Sequence, residues 1–222
     1  PQSQRTQPSP SRNPIRLTLC DRNAHYRFHM ARPPVSLHAL AAARGDVPAD
    51  ILLKGGRVLS PATREWVTTD LAIADGVVVG WGERDAHEVI NVDGASLVAG
   101  FVDAHMHLES SKLWVDEYVK AVLPNGTTAV AADPHEIANV AGLEGIRALV
   151  DAAEKMPFTF GVAASSCVPA SPFESAGAAF SAADVKTIID ELGAIGVAEV
   201  MNYPAVINGD PMFRDIIASA GW

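Results

Sequence analysis

The stretch "GFVDAHMHLESS", residues 100–111, is the most informative part of this sequence, because an apolar run typical of a buried β-strand ends in two histidines. Side chains at positions i and i+2 of a strand point to the same face, so His105 and His107 converge while their neighbours face the other way. Two neutral imidazoles on one face suit a divalent metal ion. The pair therefore predicts a metal site at the end of this strand.

The overall composition is that of a globular protein. The chain has 222 residues, of which 48% are hydrophobic and 19% charged. Its two cysteines, Cys20 and Cys167, lie far apart and have no metal-type spacing. This excludes a zinc finger, argues against a disulfide framework, and favours a reducing compartment.

The charge balance narrows the class of partner. The formal net charge is -9, and residues 1–30 hold five arginines and one aspartate, which leaves about -13 for the rest of the chain. Such an acidic surface disfavours nucleic-acid binding and favours a small-molecule substrate. No apolar run reaches the roughly 18 residues of a membrane span, and no secretory signal is recognisable. We therefore expect a cytoplasmic protein without membrane attachment.

The two ends of the sequence do not match the pattern between them. Residues 1–30 are rich in Pro, Ser, Gln and Arg without periodicity, so residues 1–35 are predicted to be a disordered leader or non-native sequence upstream of a start at Met30. A mitochondrial transit peptide is an alternative. The final residues, "DIIASAGW", stop inside a predicted helix, so we expect the chain to be a fragment.

Residues 36–99 are predicted to form a small β-domain. Three β-rich runs, over 50–60, 70–83 and 87–100, are separated by Gly-Gly, Asp-Gly and Pro turn signals. Their spacing is typical of hairpins, which predicts antiparallel pairing.

From residue 100 to residue 222 the pattern changes to alternating strands and helices. Apolar strands are predicted at 101–106, 127–132, 158–164 and 196–201, each followed by a helical stretch. This α/β pattern is typical of a parallel sheet, and it predicts the first four βα units of an eight-unit TIM-like barrel.

Two helices carry clear end signals. Ser181 and Asp184 form a capping-box pattern before an apolar helical period, and Gly193 provides the stop. Asp210 and Pro211 are predicted to begin the last helix as N-cap and first residue.

Polar groups lie at the end of each predicted strand, where barrel enzymes place their chemistry. The first strand ends in His105 and His107, the second is followed by Asp133, His135 and Glu136, the third is followed by Ser165, Ser166 and Cys167, and the fourth closes with Glu199 and Asn202. Because burying polar groups is costly unless they are paired or bind a metal, we expect these groups to meet at one rim.

Several of these residues also have ordinary structural interpretations. Glu199 either pairs with a buried cation or binds the metal, and its place at a strand end favours the metal. The "DPHE" run at 133–136 is either a turn or part of the site. Cys167 has no assignable catalytic partner and is better explained as a residue lining the pocket than as a nucleophile. Glu109 is either a charge at a helix N-terminus or a group behind the site.

Four blocks of the sequence resemble the bacterial-type adenine deaminases of the amidohydrolase superfamily. They are "LVAGFVDAHMHLESS", "GTTAVAADPHEIANVAGLEGI", "SSCVPASPFE" and "GVAEVMNYPAVINGD", in that order. The resemblance covers residues 36–222. It implies the N-terminal half of a metal-dependent (β/α)8 barrel preceded by part of a small β-sandwich domain, and hydrolysis of adenine to hypoxanthine and ammonia.

The resemblance also implies roles for individual residues. His105 and His107 would bind one metal ion, and Glu199 would bridge it to a second. This binuclear site would contain manganese or iron, with zinc also compatible. Candidates for substrate binding, or for support of the ligands, are Asp103, Glu109, Asp133, His135, Glu136, Ser166, Cys167 and Asn202.

The family pattern includes two further histidines and a proton-shuttle aspartate, which we expect beyond residue 222. The chain alone is therefore expected to be inactive, and the full-length protein to be a homo-oligomer. An amidohydrolase acting on a cyclic amide or N-acyl substrate is an alternative, although cyclic-amide enzymes commonly bridge their metals with a lysine and none ends the fourth strand. A non-catalytic remnant is the other alternative.

Overall fold

The computed structural model describes residues 35–221, which form a mixed α/β fold. The predicted leader lies outside the described residues except for residue 35. The strands are β1 Ala49–Leu59, β2 Trp66–Ala74, β3 Val77–Trp81, β4 Ala86–Asn91, β5 Ser96–Leu97, β6 Phe101–Met106, β7 Thr127–Ala132 and β8 Thr159–Val162. The α-helices are α1 Leu37–Arg44, α2 Val115–Val122, α3 His135–Ala153, α4 Ala182–Leu192, α5 Tyr203–Ile207 and α6 Pro211–Ala218.

The first sheet has the strand order β3-β2-β1-β4, with β5 also pairing with β1. β2 runs antiparallel to β1 and β3, whereas β4 and β5 run parallel to β1. The prediction of a purely antiparallel domain is therefore wrong. The chain crosses from β3 to the far edge of β1 before it pairs again, and this crossover makes the later strands parallel to β1.

Of the two glycine-containing turns predicted in this sheet, one forms a turn and the other lies inside a strand. Asp75 and Gly76 join β2 to β3 with positive φ angles of 48° and 73°, as a two-residue hairpin requires. Gly55 and Gly56 instead lie inside β1, where the pairing with β2 shifts register. A side chain at Gly56 would meet Leu97 at 2.5 Å, so this glycine permits close packing rather than a turn.

Helix α1 was not predicted from the sequence. The Ser36 side chain accepts the N–H of Ala39 at its start, and Gly45 ends it in a left-handed conformation. Ala39 and Ala42 are buried against the first sheet. Because the helix buries small residues in a run of alanines, its sequence shows no helical spacing of large apolar side chains.

The second sheet consists of β6, β7 and β8 in parallel order, and the bounds of β6 and β7 match the prediction. β8 is shorter than predicted, and the fourth strand is reduced to a single parallel bridge between Ala164 and Val197. The prediction of a regular strand over 196–201 is therefore wrong. At Glu199 the backbone N–H and carbonyl bond to side chains instead of to a neighbouring strand.

The expectation that β6 is buried is also wrong, because most of its residues are exposed. Among the described residues β6 has a strand neighbour on one side only, namely β7. The apolar core instead lies around β7, β8 and the helices that follow them. Its most completely buried large residues are Leu108, Ile146, Leu149, Ile188 and Ile216.

The predicted helix ends are confirmed. Ser181 and Asp184 form a reciprocal capping box at the start of α4, and Gly193 ends that helix. The Asp210 side chain accepts backbone N–H groups at the start of α6, where Pro211 is the first residue. No helix of the described part of the chain is long and apolar enough to cross a membrane.

Helix α3 contains a kink at Gly142, which has a φ of 62°. Beside the kink, Gly177 donates its N–H to the carbonyl of Asn139, and a Cβ at Gly177 would lie 2.2 Å from the carbonyl oxygen of Val140. Glycines at these two positions therefore allow the loop after β8 to pack on the first turns of α3. These turns carry His135 and Glu136.

Candidate metal centre

Three predicted metal ligands come together at the ends of the second sheet's strands. Nε2 of His105 lies 3.4 Å from Oε2 of Glu199, and Nε2 of His107 lies 3.5 Å from Oε1 of the same carboxylate. The two imidazole rings are 5.1 Å apart between centroids. The i and i+2 histidines thus converge as strand geometry predicts, and the carboxylate is brought to them from a segment far along the chain.

The donor set fits a divalent ion. Donor atoms that share a metal at about 2.1 Å each lie about 3 to 3.5 Å from one another, which is the separation of the imidazole nitrogens from the carboxylate oxygens here. Imidazole and carboxylate ligands are compatible with zinc, manganese or iron. The three residues are therefore able to hold such an ion.

Glu136 contacts the other nitrogen of the His107 ring. Its Oε2 lies 3.2 Å from Nδ1 of His107, and its Oε1 accepts the hydroxyl of Ser110 at 2.8 Å. The contact with Nδ1 does not have hydrogen-bond geometry, so the carboxylate acts through its charge, which favours a proton on Nδ1 and leaves the lone pair of Nε2 free for a metal. Glu136 lies in the first turn of α3, which follows β7 directly.

Asp133 is within 4.8 Å of the donor atoms of His105, His107 and Glu199, and it is only 2% exposed. Its Oδ2 accepts the backbone N–H of Glu199 at 3.2 Å, and its Oδ1 is in direct contact with Nδ1 of His135. The ring N–H does not point straight at that oxygen. Both oxygens of Asp133 thus face protein groups.

His135 is buried behind Asp133. Burial disfavours the charged ring, but the carboxylate of Asp133 and the thiol of Cys167 outweigh it and raise the pKa of His135 to about 9. The backbone nitrogen of Cys167 lies 3.4 Å from Nε2 of His135, a distance too long for a strong hydrogen bond. His135 therefore connects the loop after β7 to the loop after β8.

Cys167 is a buried free thiol beside His135 and Ser166. Burial raises the pKa of this thiol, but the contacts with His135 and Ser166 outweigh that effect, so the pKa is lowered overall. The residue borders the cavity described below, which agrees with the expectation that it lines a pocket.

Ser166 acts on the backbone of Glu199. Its hydroxyl donates to the Glu199 carbonyl oxygen at 2.7 Å, and the residue is 2% exposed. The two polar groups of the Glu199 backbone are thus held by two buried side chains, those of Ser166 and Asp133.

The side chain of Glu109 contacts the N-terminus of α3. Its Oε1 accepts the N–H of Ile137 at 2.9 Å, in a helix whose N-cap residue, Pro134, offers no capping side chain. Burial raises the pKa of Glu109. The structure thus favours the interpretation of Glu109 as a charge at a helix N-terminus.

Two further candidates contact backbone groups instead of the ligands. The Asp103 side chain accepts the N–H of His105 at 3.3 Å, next to the metal site. The Asn202 side chain accepts the N–H of Ala205 at 3.3 Å and caps α5. Asn202 thus serves as a helix cap in this structure.

A cavity of about 280 Å³ borders the ligands His107 and Glu199. Its wall also contains residues that the sequence analysis missed: Asn139, Ala170, Glu174 and Met201. Two of them have a signal in the sequence. Asn139 lies one helical turn after His135, and Met201 lies two residues after Glu199 in the predicted strand, so the sequence pattern places each on the face of a recognised residue. Glu174 lies in an irregular loop and had no such signal.

The Amidohydrolase family model matches residues 96–221, which include every residue of the centre described above. This chain belongs to the amidohydrolase family. The match covers more than half of the chain and begins just before β6. The polar ends of the parallel strands are therefore part of an amidohydrolase domain.

Relatives of this amidohydrolase chain include proteins named adenine deaminase. One from Bacillus velezensis is 44% identical over 171 residues, which are 77% of this chain and 30% of that protein. One from Methanothrix thermoacetophila is also 44% identical over 171 residues, with the same coverage. The chain thus spans about 30% of the length of these curated relatives.

Solved structures show a more distant likeness. An L-hydantoinase from Arthrobacter aurescens is 16% identical, with a TM-score of 0.46 over 66% of this amidohydrolase chain and 39% of that protein.

Proposed function

We propose that this chain is the metal-binding part of an adenine deaminase, in which His105, His107 and Glu199 would hold the divalent metal, with Glu199 as the ligand that two ions would share. The approach of both imidazoles to the Glu199 carboxylate, at 3.4 and 3.5 Å, is the observation that supports the ligand set most directly. Manganese or iron is the proposed metal, and zinc is compatible with the same donors.

The proposed architecture is the first half of a (β/α)8 barrel over residues 100–222, preceded over 36–99 by part of a β-sandwich. Parallel pairing of β6, β7 and β8, with helices after each, supports the barrel. The separate mixed sheet with its own small core supports a distinct N-terminal unit. Placement of the polar groups at or just after the carboxyl ends of the strands agrees with the usual site of chemistry in barrels.

The proposed reaction replaces the exocyclic amine of adenine with oxygen from water. Relatives with 44% identity carry the name adenine deaminase. The cavity beside Glu199 has about the size of a small ligand pocket. A divalent ion supplies Lewis acidity and a water acidic enough to lose a proton near neutral pH.

The residues of this chain would have three tasks in that reaction. His105, His107 and Glu199 would hold the metal, and the charge of Glu136 would favour a proton on Nδ1 of His107. Asn139 and Glu174 place an amide and a carboxylate on the cavity wall, where they can contact the polar edge of a purine. Met201 adds an apolar surface for the flat face of the base.

A metal titration tests the ligand set. Wild-type chain is dialysed against Mn²⁺ and compared with His105→Ala and Glu199→Gln, with Glu144→Gln, an exposed residue of α3, as a matched control. We expect tight Mn²⁺ in the wild type and the control, and at least about 100-fold weaker binding in the two ligand variants. Equal Mn²⁺ affinity in all four proteins would show that His105 and Glu199 are not metal ligands.

An activity assay tests the substrate. The complete reading frame that contains this chain is expressed with Mn²⁺, and ammonia release is measured with adenine and with a cyclic amide. Release from adenine that disappears in His105→Ala is expected. Hydrolysis of the cyclic amide alone would favour the other amidohydrolase class.

We also propose that the full-length protein is a cytoplasmic homo-oligomer that does not bind nucleic acid. The small-molecule purine substrate follows from the proposed reaction.

A further inference from the structure

We propose that Ser166 is a positioning residue of the metal centre, because its hydroxyl, together with the carboxylate of Asp133, fixes the peptide from which the Glu199 side chain projects. This inference rests on the proposed role of Glu199 as a metal ligand. It assigns Ser166 a function that the ligand set alone does not require.

Glu199 lies where the regular pairing of the second sheet ends. The last backbone bond toward it runs from the N–H of Ala198 to the carbonyl of Ala164 at 2.8 Å. At Glu199 itself the N–H donates to Asp133, and the carbonyl accepts from Ser166. Two side chains thus form the hydrogen bonds that a neighbouring strand would otherwise provide.

The burial of the groups shows which part of Glu199 is fixed. Ser166 and Asp133 are each 2% exposed, whereas the Glu199 side chain is 41% exposed. The peptide is held from inside the protein while the carboxylate faces the histidines at the surface. Because metal ligation tolerates displacements of only about 0.5 Å, a fixed peptide favours a correctly placed carboxylate.

The hydroxyl of Ser166 makes the shorter of the two bonds. Its 2.7 Å distance is ordinary for a hydroxyl–carbonyl pair, whereas the bond from the Glu199 N–H to Asp133 is long at 3.2 Å. Loss of the hydroxyl would leave the carbonyl of Glu199 without this partner. We then expect the peptide of Glu199 to move toward another hydrogen-bond donor. This movement would displace the Glu199 carboxylate as well.

The neighbouring serine offers a matched control. Ser165 is completely buried, and its hydroxyl has no hydrogen-bond partner among residues 35–221. Ser165→Ala therefore removes the same atom from an equally buried site one residue away. A general effect of losing a buried hydroxyl would appear in both variants, whereas a positioning effect would appear only at Ser166.

The experiment measures metal binding by the full chain with Mn²⁺ followed by electron paramagnetic resonance and with Co²⁺ followed by visible absorption. We expect Ser166→Ala to bind Mn²⁺ about 10- to 100-fold more weakly than the wild type and to change the Co²⁺ spectrum. Ser165→Ala is expected to stay within about twofold of the wild-type affinity and to keep its spectrum. Ser166→Cys keeps the size of the side chain with a weaker donor, and it replaces the alanine variant if that protein does not fold.

The outcomes separate this inference from the proposed function. Wild-type chain that binds no Mn²⁺ would contradict the proposed ligand set. Wild-type binding that is lost in Glu199→Gln but unchanged in Ser166→Ala and Ser166→Cys would overturn the positioning role alone. Equal losses in the Ser165 and Ser166 variants would overturn it as well, because the effect would then not depend on the bond to Glu199.

Discussion

Oε2 of Glu136 lies 3.2 Å from Nδ1 of His107, while Nε2 of the same ring faces Glu199. The imidazole is thus held between two carboxylates, one on each nitrogen. Only one neutral tautomer presents an unprotonated Nε2 to a metal, and the Glu136 contact favours that tautomer. The contact joins the end of β6 to the start of α3.

Glu136→Gln tests this relationship. The amide keeps the shape of the side chain but loses the charge that favours a proton on Nδ1, so we expect Mn²⁺ affinity to fall about 10- to 100-fold. Isothermal titration measures the change. Glu144→Gln on the same helix is the control and is expected to bind Mn²⁺ as the wild type does. Unchanged affinity in Glu136→Gln would show that the contact does not support the site.

Metal binding is expected to stabilise the folded chain. At a Mn²⁺ concentration of about 100 times the dissociation constant, the free energy of unfolding should rise by about 2.7 kcal/mol. Urea unfolding with Mn²⁺ and with a chelator measures this difference. Glu199→Gln should show almost no gain at the same Mn²⁺ concentration, and a full gain in that variant would contradict the role of Glu199.

The contacts of Asp50 in the first sheet are expected to stabilise the folded chain in a pH-dependent way. The backbone N–H of Asp75 donates to its Oδ2 at 2.7 Å and, with His38 beside Oδ1, holds the pKa of Asp50 below its ordinary value. A lowered folded-state pKa gives stability that is present above the unfolded-state pKa and is lost as the pH falls through the folded value. The effect is therefore largest near neutral pH.

Asp50→Ala should accordingly lose about 1 kcal/mol of unfolding free energy at pH 7, a modest value because the side chain is partly exposed. The difference from the wild type should shrink as the pH falls below about 4. Urea unfolding followed by tryptophan fluorescence measures it, since Trp66 and Trp81 lie in this sheet. Asp46→Ala, at an exposed ion pair with Arg44, is the control. A deficit independent of pH would point to lost packing instead.

Leu149→Ala should destabilise the second core. The Leu149 side chain is fully buried on α3, so its truncation leaves a cavity and should cost about 2 to 5 kcal/mol. Val140 lies on the same helix and is 74% exposed, so Val140→Ala should change stability by less than about 0.5 kcal/mol. Urea unfolding followed by far-UV circular dichroism compares the two variants. Similar costs would contradict the observed difference in burial.

The features that were predictable from the sequence depend on local signals. The bounds of β6 and β7 follow from short apolar runs, and the ends of α4 follow from Ser181, Asp184 and Gly193. Capping residues act within a few positions of the chain, so their pattern is visible without the fold. The convergence of His105 and His107 follows likewise from the two-residue period of a strand.

The features that were missed depend on distant partners. The direction of β4 relative to β1 is set by a crossover, and α1 is held by the sheet beneath its alanines. The predicted fourth strand fails because Glu199 bonds to side chains that come from two other loops. Propensity and periodicity do not contain these contacts, since each joins residues far apart in the chain.

The sequence by itself determined the kinds of ligand and their places at strand ends, because strand periodicity and residue chemistry are local properties. Only the tertiary structure decided which neighbours each group has. It engages both oxygens of Asp133 with protein groups and sets Glu136 against His107. It also gives Ser166, but not Ser165, a bond to the peptide of Glu199. Those distinctions arise from packing between segments that only folding brings together.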